Sequence, residues 1–281
     1  MGDYFRPHTL SELNELLKNN TLTVIAGGTD FYPARVGKAL DEDILDITAV
    51  PELSGVQKRE DGWSIGAATR WSEIVSSDLP PVFDGLKAAA CEVGGRQIQN
   101  SGTLGGNLCN ASPAADGVPA LLALNATAEI AGRDGNRTLP LSDFILGNRK
   151  IALQGGEILK SLHIPDVHSD FSRSDFMKLG SRKYLVISLV MISGVLGWSS
   201  DGRIQECRIS VGACSEVAIR LDALEQALIG SSLNSDLRTR LEDSHLDLLS
   251  PIDDVRASGD YRKEAARTLV ERLLKEWSAR A

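Results

Sequence analysis

The chain has 281 residues, of which 42% are hydrophobic and 24% are charged. This globular composition holds enough apolar material for one large core or several small ones, and it excludes a disordered tail, a collagen and a coiled coil. The formal net charge of −8 and the 5% aromatic content argue against a broad nucleic-acid or anionic-membrane surface, because both need a basic footprint.

The cysteine content and the N-terminus favour a cytoplasmic protein. A chain of this length with only Cys91, Cys109, Cys207 and Cys214 suits a reducing compartment. No C-x-x-C pair, iron–sulfur run or H-E-x-x-H motif occurs, so we expect no metal site on this chain. Residues 1–17 lack the apolar core of a signal peptide, and no apolar stretch is long enough to span a membrane.

The first fifty residues predict a small α/β unit. Thr9 and Glu12 form a capping box that opens an amphipathic helix. The segments after it predict a buried strand, a helical turn and a second strand, over residues 21–26, 31–37 and 43–47. The pattern changes at Pro51, and we therefore predict a first domain at residues 1–52.

Two further domains are predicted, at residues 53–170 and 171–281. The second mixes strands and helices around Gly94–Pro113, a segment with five glycines and one formal charge. The third contains two β-rich runs joined by a hairpin signal, followed by a helix whose apolar residues recur at every fourth position up to Trp277. The order of elements predicts an α+β protein.

Two glycine clusters are the strongest candidates for a binding site. The first, AGGTD at residues 26–30, directly follows a predicted strand, and the second is TLGGN at residues 103–107. Glycine accepts positive φ at no cost, so successive backbone N–H groups can converge on a phosphate without a lysine or arginine. Either cluster alone is more often an ordinary turn. Two of them, one in a nearly uncharged segment, favour a diphosphate site.

Two charged residues stand between apolar neighbours. Asp116 is either a cap for the helix that follows it or a ligand contact. Lys178 is either a surface lysine with a buried stem or a functional cation. We find no nucleophile–base pair and no catalytic acid–base set in the sequence.

These segments resemble the FAD-binding medium subunit of the molybdenum hydroxylases, the xanthine-dehydrogenase and carbon-monoxide-dehydrogenase type. Residues 24–30 (VIAGGTD) are similar to the first flavin-binding loop of that family. Residues 96–107 (RQIQNSGTLGGN), continued by ASPAAD at 111–116, are similar to the second. Shorter matches extend the resemblance over nearly the whole chain, at residues 156–159, 176–182 and 261–262.

The resemblance implies an FAD-binding fold of the vanillyl-alcohol-oxidase (PCMH) type, with a C-terminal domain of a three-stranded sheet plus helices. It places the FAD pyrophosphate on residues 26–30 and 103–107, the ribityl or isoalloxazine end at Asp116, and Lys178 near the flavin. The implied cofactor-binding set is Val24, Ile25, Ala26, Gly27, Gly28, Thr29, Asp30, Phe31, Thr103, Leu104, Gly105, Gly106, Asn107, Asp116, Ile158, Leu159 and Lys178. Val93 stands where xanthine-type enzymes often have an aromatic residue.

The resemblance also implies the function. Electrons pass from two [2Fe–2S] clusters on a small partner subunit to FAD on this chain, and then to NAD⁺, a quinone or another acceptor. The molybdopterin cofactor lies on a large partner subunit, and the complex is a dimer of heterotrimers. Two alternatives stay open: a free-standing FAD-dependent oxidase or dehydrogenase, and a non-catalytic nucleotide-binding assembly protein.

Overall fold

The computed structural model describes residues 2–18, 22–133 and 135–279. Its strands are β1 (Tyr4–Phe5), β2 (Thr23–Ile25), β3 (Ile44–Asp46), β4 (Val56–Arg59), β5 (Gly62–Gly66), β6 (Thr127–Gly132), β7 (Gly135–Pro140), β8 (Ile145–Gly147), β9 (Lys150–Ile151), β10 (Glu157–Pro165), β11 (Phe171–Leu179), β12 (Val190–Trp198), β13 (Ile204–Gly212) and β14 (Ile219–Arg220). Its α-helices are α1 (Leu10–Leu16), α2 (Trp71–Ser76), α3 (Asp84–Glu92), α4 (Arg96–Ser101), α5 (Leu104–Asn110), α6 (Gly117–Ala123), α7 (Leu141–Phe144), α8 (Asp222–Leu228) and α9 (Gly259–Ser278).

The chain folds as two compact units that are each assembled from separated stretches of sequence. The first unit contains Met1–Ser77, Gly94–Ala111 and Ala126–Pro165, and the second contains Asp78–Val93, Ser112–Asn125 and Asp166–Ala281. The mixture of sheets and helices confirms the predicted α+β class. The division into three domains stays a prediction.

The first unit contains two main sheets. A three-stranded parallel sheet has the order β1-β3-β2, and a five-stranded antiparallel sheet has the order β4-β5-β10-β6-β7. Helix α1 begins as predicted, since the Thr9 hydroxyl accepts a hydrogen bond from the Glu12 N–H at 3.2 Å. In the usual capping box the Glu12 carboxylate would accept a hydrogen bond from the N–H of the N-cap, Thr9. Here it accepts from the N–H of the preceding residue, His8, at 2.8 Å.

The core of the first unit joins the parallel sheet, α1 and the antiparallel sheet. It contains Leu13, Leu17, Leu45, Ile47, Val50, Leu53, Ala68, Ala131 and Ile158. The predicted strand at 21–26 is β2, at Thr23–Ile25, while Thr21 lies outside the described residues. Because β1, β2 and β3 run parallel, their carboxyl ends lie at one edge, where the first glycine cluster begins.

Most of the glycine-rich segment 94–113 is helical, although the resemblance implied a flavin-binding loop at residues 96–107. It forms α4 and α5, separated only by Gly102 and Thr103. Thr103 has extended backbone dihedrals, and its hydroxyl accepts from the Gly106 N–H at 3.0 Å. A threonine in this position is a strong helix N-cap. The cap outweighs the low helix propensity of the two glycines that follow, so Gly105 and Gly106 lie in the first turn of α5.

The second unit is built on a four-stranded sheet with the order β11-β12-β13-β14. Three of its strands have nine residues and β14 has two. The predicted hairpin between β12 and β13 is confirmed, because the Ser199 N–H donates to the Arg203 carbonyl at 3.0 Å. Strand β12 is buried along nearly its whole length. Helices cover both of its faces, which explains its continuous apolar sequence.

One face of this sheet packs against α8 and α9, in a core that includes Val190, Ile192, Leu224, Leu273 and Trp277. The other face meets α6, where the Ser210 hydroxyl donates to the Pro119 carbonyl at 2.5 Å and the Arg208 Nε donates to the Ala123 carbonyl at 2.6 Å. The apolar stripe predicted in the last helix therefore docks α9 on the sheet.

The contact between β12 and α9 depends on Gly194. A Cβ atom at this position would lie 2.6 Å from the Trp277 ring and 2.8 Å from Leu273. Trp277 is 1% exposed, and its Nε1 donates to the Asp175 carboxylate at 2.9 Å. The ring has no room to move without losing this bond, so the sheet and the helix can approach this closely only over a glycine.

We predict that Gly194→Ala lowers the free energy of unfolding by about 1–3 kcal/mol, because the added methyl group overpacks this contact. Urea denaturation followed by tryptophan fluorescence measures the loss. Thr268→Ala, on the exposed side of α9, is the control and should change stability by less than about 0.5 kcal/mol. Equal stability of the two variants would contradict the packing assigned to Gly194.

Candidate functional site

The first glycine cluster connects the end of β2 to a short 3-10 helix at Pro33–Arg35. Gly28 has a φ of +67°, which a residue with a side chain rarely adopts. A Cβ atom on Gly27 would lie 2.0 Å from the Ser101 carbonyl oxygen. Both glycines are therefore required, one for the turn and the other for the close approach of the end of α4.

The backbone of this loop has unused hydrogen-bond donors. Across the described residues, the N–H groups of Gly27, Gly28, Thr29 and Asp30 donate no hydrogen bond to the protein. Two carbonyl groups of the loop do form hydrogen bonds: the Gly28 carbonyl accepts from the Tyr32 N–H, and the Asp30 carbonyl accepts from the Ala34 N–H. The segment thus has the donors that the sequence predicted for an anion-binding loop.

The second glycine cluster is organised differently from the prediction. The Leu104 N–H donates to the Thr69 carbonyl at 3.0 Å, and the Gly105 N–H donates to the Ala67 carbonyl at 2.8 Å. The Gly106 N–H is held by its own N-cap, Thr103. These amides are satisfied by the protein, so the expectation of a second set of converging free N–H groups is wrong. A Cβ on Gly105 would lie 2.6 Å from the Ala67 Cβ, which shows that this glycine serves close packing.

A cavity of about 270 Å³ lies in the first unit beside both clusters. Seven of its lining residues belong to the predicted cofactor set: Val24, Ile25, Ala26, Gly105, Gly106, Ile158 and Leu159. The other six are Ile47, Ala67, Cys109, Ile151, Leu153 and Glu157. The structure therefore brings together three segments that are far apart in sequence.

Some of the six unpredicted residues had a signal in the sequence. Ile47 follows β3, the parallel neighbour of β2, and ligand sites occur at the carboxyl ends of parallel strands. Ile151 and Leu153 alternate before a pair of glycines, but nothing in the sequence connects them to residue 24. Their place in the cavity wall follows from the tertiary fold.

The ionisable groups of the lining are Cys109 and Glu157. Burial raises the pKa of the Cys109 thiol to about 12, so it stays protonated and contributes an apolar surface. The hydrogen bond from Arg137 holds the pKa of Glu157 below its ordinary value, so this residue is a carboxylate at neutral pH. The lining contains no lysine or arginine, and backbone groups would have to neutralise an anionic ligand.

The remaining predicted residues of the first unit do not line this cavity. Thr103 and Leu104 are buried at the start of α5. The Oδ1 atom of Asn107 is buried and has no hydrogen-bond partner within the described parts of the chain. Phe31 is covered by the Arg35 guanidinium, which lies 3.7 Å from the ring centroid. An orphaned acceptor such as Asn107 Oδ1 is costly unless a ligand or water satisfies it.

Asp116 and Lys178 belong to the second unit, where they form a buried ion pair. The Lys178 Nζ lies 2.8 Å from the Asp116 Oδ2, and their side chains are 7% and 10% exposed. The Ser188 hydroxyl donates to the other carboxylate oxygen at 2.6 Å. Asp116 makes no capping hydrogen bond to α6, so the helix-cap alternative is wrong. The surface-lysine alternative for Lys178 is also wrong.

Burial has the largest effect on the Asp116 carboxyl and raises its pKa, while Lys178 and Ser188 act in the opposite direction. Lys178 also donates to the Glu92 carbonyl at 3.3 Å. Removing either partner of such a pair leaves a buried charge unpaired, which is costly. A buried lysine with a single carboxylate partner is typical of a functional site, although structural pairs also occur.

Among the described residues, no group of three or more histidine, cysteine, aspartate or glutamate side chains is arranged to hold a metal ion. None of the helices in these residues combines the length and apolarity that crossing a bilayer requires.

Comparison with known proteins identifies the family. Residues 1–167 match the FAD binding domain in molybdopterin dehydrogenase, and residues 175–277 match the CO dehydrogenase flavoprotein C-terminal domain. The chain is 30% identical to the glyceraldehyde dehydrogenase medium chain of Sulfolobus acidocaldarius, over 97% of both chains. It is 32% identical to the nicotinate dehydrogenase FAD-subunit of Eubacterium barkeri, over 96% of this chain and 94% of the relative.

A solved structure shows the same fold. A chain of the carbon monoxide dehydrogenase from Hydrogenophaga pseudoflava, solved in a form without the Mo-pyranopterin moiety of its molybdenum cofactor, superposes with a TM-score of 0.90 and 26% identity. The match covers 100% of this chain and 98% of the other. It confirms the fold that the sequence resemblance implied. The chain therefore belongs to the molybdenum hydroxylase family, as an FAD-binding medium subunit of the xanthine dehydrogenase and carbon monoxide dehydrogenase type.

Proposed function

We propose that this chain is the electron-transfer subunit of a multi-subunit molybdenum hydroxylase. It accepts electrons from the [2Fe–2S] clusters of a small partner subunit and passes them to an external acceptor such as NAD⁺ or a quinone. FAD supplies the redox chemistry when bound, and the protein supplies binding, orientation and electrostatics. The observation that carries the proposal is the apolar cavity lined by Ala26, which directly precedes the unused N–H groups of residues 27–30 in the chain.

The residues of the first unit fit FAD. The open amides of the first loop suit the diphosphate, because backbone N–H groups bind phosphate without a formal charge. Asn107 Oδ1 is a buried acceptor without a partner, and a ribose or ribityl hydroxyl would satisfy it. The aliphatic walls formed by Ile151, Leu153 and Ile158 suit the flat, apolar faces of the adenine ring. We assign residues 103–106 to shaping this cavity, with the first loop as the principal phosphate-binding element.

We propose that Asp116 and Lys178 act on the flavin end of the cofactor, as the family resemblance implied. The support is the burial of the pair, whose side chains are 7% and 10% exposed and lie 2.8 Å apart. A fixed cation next to a flavin would stabilise the negative charge of the reduced ring.

Partner subunits are also part of the proposal. A large subunit would carry the molybdopterin cofactor and a small one the [2Fe–2S] clusters, in a dimer of heterotrimers, and the complex would be cytoplasmic. The relatives named as medium chain and FAD-subunit support an assembly.

A candidate docking surface lies beside the first loop, in residues 31–37 and 97–101. Val36 is 83% exposed, Tyr32 is 50% exposed and Ile98 is 38% exposed. We name these three side chains the loop patch. Tyr32 packs against Gly28 of the loop, and Ser101, at the end of the helix that contains Ile98, packs against Gly27. Apolar side chains held next to a redox site favour a protein partner over solvent.

We predict that Gly106→Val weakens FAD binding by about tenfold to a hundredfold. The added Cβ would lie 2.9 Å from Thr103 Oγ1 and the branches would enter the cavity, at a cost of about 1–3 kcal/mol. Fluorescence titration with FAD and absorbance of the purified chain between about 350 and 500 nm measure binding. Asn100→Val, on the exposed face of α4, is the control. A wild-type chain that binds no FAD would refute the proposed function.

We predict that Lys178→Met lowers the reduction potential of bound FAD by about 30 mV or more, which is about tenfold in the equilibrium constant of a two-electron couple. Lys263→Met, at a half-buried lysine on α9, should leave the potential unchanged. Spectroelectrochemical titration measures both. A lower thermal midpoint with an unchanged potential would show that the Asp116–Lys178 pair only stabilises the second unit.

We predict that Val36→Asp combined with Ile98→Asp prevents copurification of partner subunits while FAD stays bound, because two charges would be buried at the centre of the interface. The chain is co-expressed with the subunits encoded next to it, and the copurified chains are counted. Leu146→Asp, at another exposed apolar position of the same unit, should leave the complex intact. Intact complexes with both variants would exclude the loop patch as the docking surface.

A further inference from the structure

Arg137 makes a set of contacts behind the cavity wall that the binding of FAD does not require directly. Its Nε and Nη2 atoms donate to the two carboxylate oxygens of Glu157, each at 2.7 Å. The same Nη2 donates to the Ala152 carbonyl at 2.7 Å. Glu157 Oε2 also accepts from the Gln154 N–H at 2.7 Å. One guanidinium group therefore holds two separate backbone segments.

Both of those segments form walls of the cavity. Ile151 and Leu153 flank Ala152 on one side, and Ile158 and Leu159 follow Glu157 on the other. Residues 152–156 connect β9 to β10 without regular secondary structure. In this connection the Ala152 N–H donates to the Phe144 carbonyl at 2.9 Å. The side chains of Arg137 and Glu157 add the hydrogen bonds to the Ala152 carbonyl and the Gln154 N–H.

The side chains of Arg137 and Glu157 meet across an intervening strand, β6. Arg137 lies on β7 and Glu157 at the start of β10, and both strands pair with β6. On β6 the residue opposite Glu157 is Gly132, and a Cβ there would lie 2.9 Å from the Glu157 Cγ. The glycine thus leaves the space through which the glutamate stem crosses the strand to reach Arg137.

We propose that Arg137 is a positioning residue for the cofactor: through Glu157 and Ala152 it fixes both aliphatic walls of the cavity and so determines how tightly the adenosine half of FAD is held. This inference rests on the proposed placement of the adenine ring between those walls. Arg137 does not line the cavity and acts through the two segments that do. A rigid wall lowers the entropy cost of closing around the ligand.

A second ion pair in the same sheet provides a matched control. Arg59 on β4 bonds both carboxylate oxygens of Glu129 on β6, at 2.7 and 3.2 Å. The side chains of Arg59 and Arg137 are 40% and 34% exposed. Neither member of the Arg59 pair lines the cavity. The two arginines thus have similar structural roles in the sheet, and only one of them holds the cavity wall.

The test compares Arg137→Met with Arg59→Met in the full chain as it is purified, with any subunits that it retains. Methionine keeps most of the aliphatic stem and removes the charge and the donors. We expect Arg137→Met to weaken FAD binding by about tenfold, as loss of supporting contacts does at metal sites. The affinity for ADP, which carries the adenosine and diphosphate without the flavin, should fall by the same factor when it is measured by competition. We expect Arg59→Met to bind FAD and ADP as the wild type does. Its thermal midpoint should change by the same amount as that of Arg137→Met.

Arg137→Lys separates the ion pair from the backbone contact. Lysine keeps a charge opposite Glu157 but loses the rigid fork that reaches Ala152 at the same time, so we expect an intermediate affinity for ADP. Equal affinities of Arg137→Met and wild type would overturn the proposal, and so would an equal loss in Arg59→Met. If Gly106→Val loses FAD while Arg137→Met does not, the proposed FAD site stands and only the role of Arg137 fails.

Discussion

The candidate site depends on how closely α5 approaches Ala67, the residue that follows β5. A Cβ on Gly105 would come within 3 Å of Ala67, and the Gly105 N–H donates to the Ala67 carbonyl. This contact places Gly106 and Cys109 along one wall of the cavity. Gly27 makes a second approach of the same kind to Ser101. Backbone-to-backbone contacts of this closeness leave no tolerance for side chains, and the cavity keeps its shape because both are rigid.

The rest of the first unit supports these two contacts. Thr103 caps α5 and fixes where the helix begins, so that Gly105 meets Ala67 and not a neighbouring residue. The parallel strands β2 and β3 bring the first loop to the same place. The chain has a net charge of −8, and the cavity lining contains no cation. An anionic diphosphate would therefore be held by oriented N–H dipoles, which cost no conformational entropy when the ligand arrives.

Much of this arrangement could be predicted from the sequence, but the conformation of the glycines could not. The pairs at Gly27 and Gly105 identify both segments, because clustered glycines are uncommon without a structural or functional reason. The same Gly-Gly sequence does not distinguish a turn with positive φ, as at Gly28, from the close packing of a helix, as at Gly105. That difference depends on what lies opposite each glycine, which is set by contacts far away in sequence. The apolar neighbours of Lys178 left its burial undecided, because that burial requires strand β11 and the Asp116 segment together.

The two buried or bridging ion pairs show how polar groups are used in this fold. Lys178 and Asp116 are nearly inaccessible, and a buried pair contributes little net stability, because desolvation offsets the attraction. A structural explanation alone would therefore predict apolar residues at these positions. Arg137 and Glu157 are more accessible, but the strength of that single ion pair matters less than its geometry, since surface pairs contribute about 0–1 kcal/mol. What the arginine adds is a fork with several donors that reach a carboxylate and a backbone carbonyl at once. The Arg137 pair is thus better explained by the backbone positions that it holds in the cavity wall than by the stability that it adds to the chain.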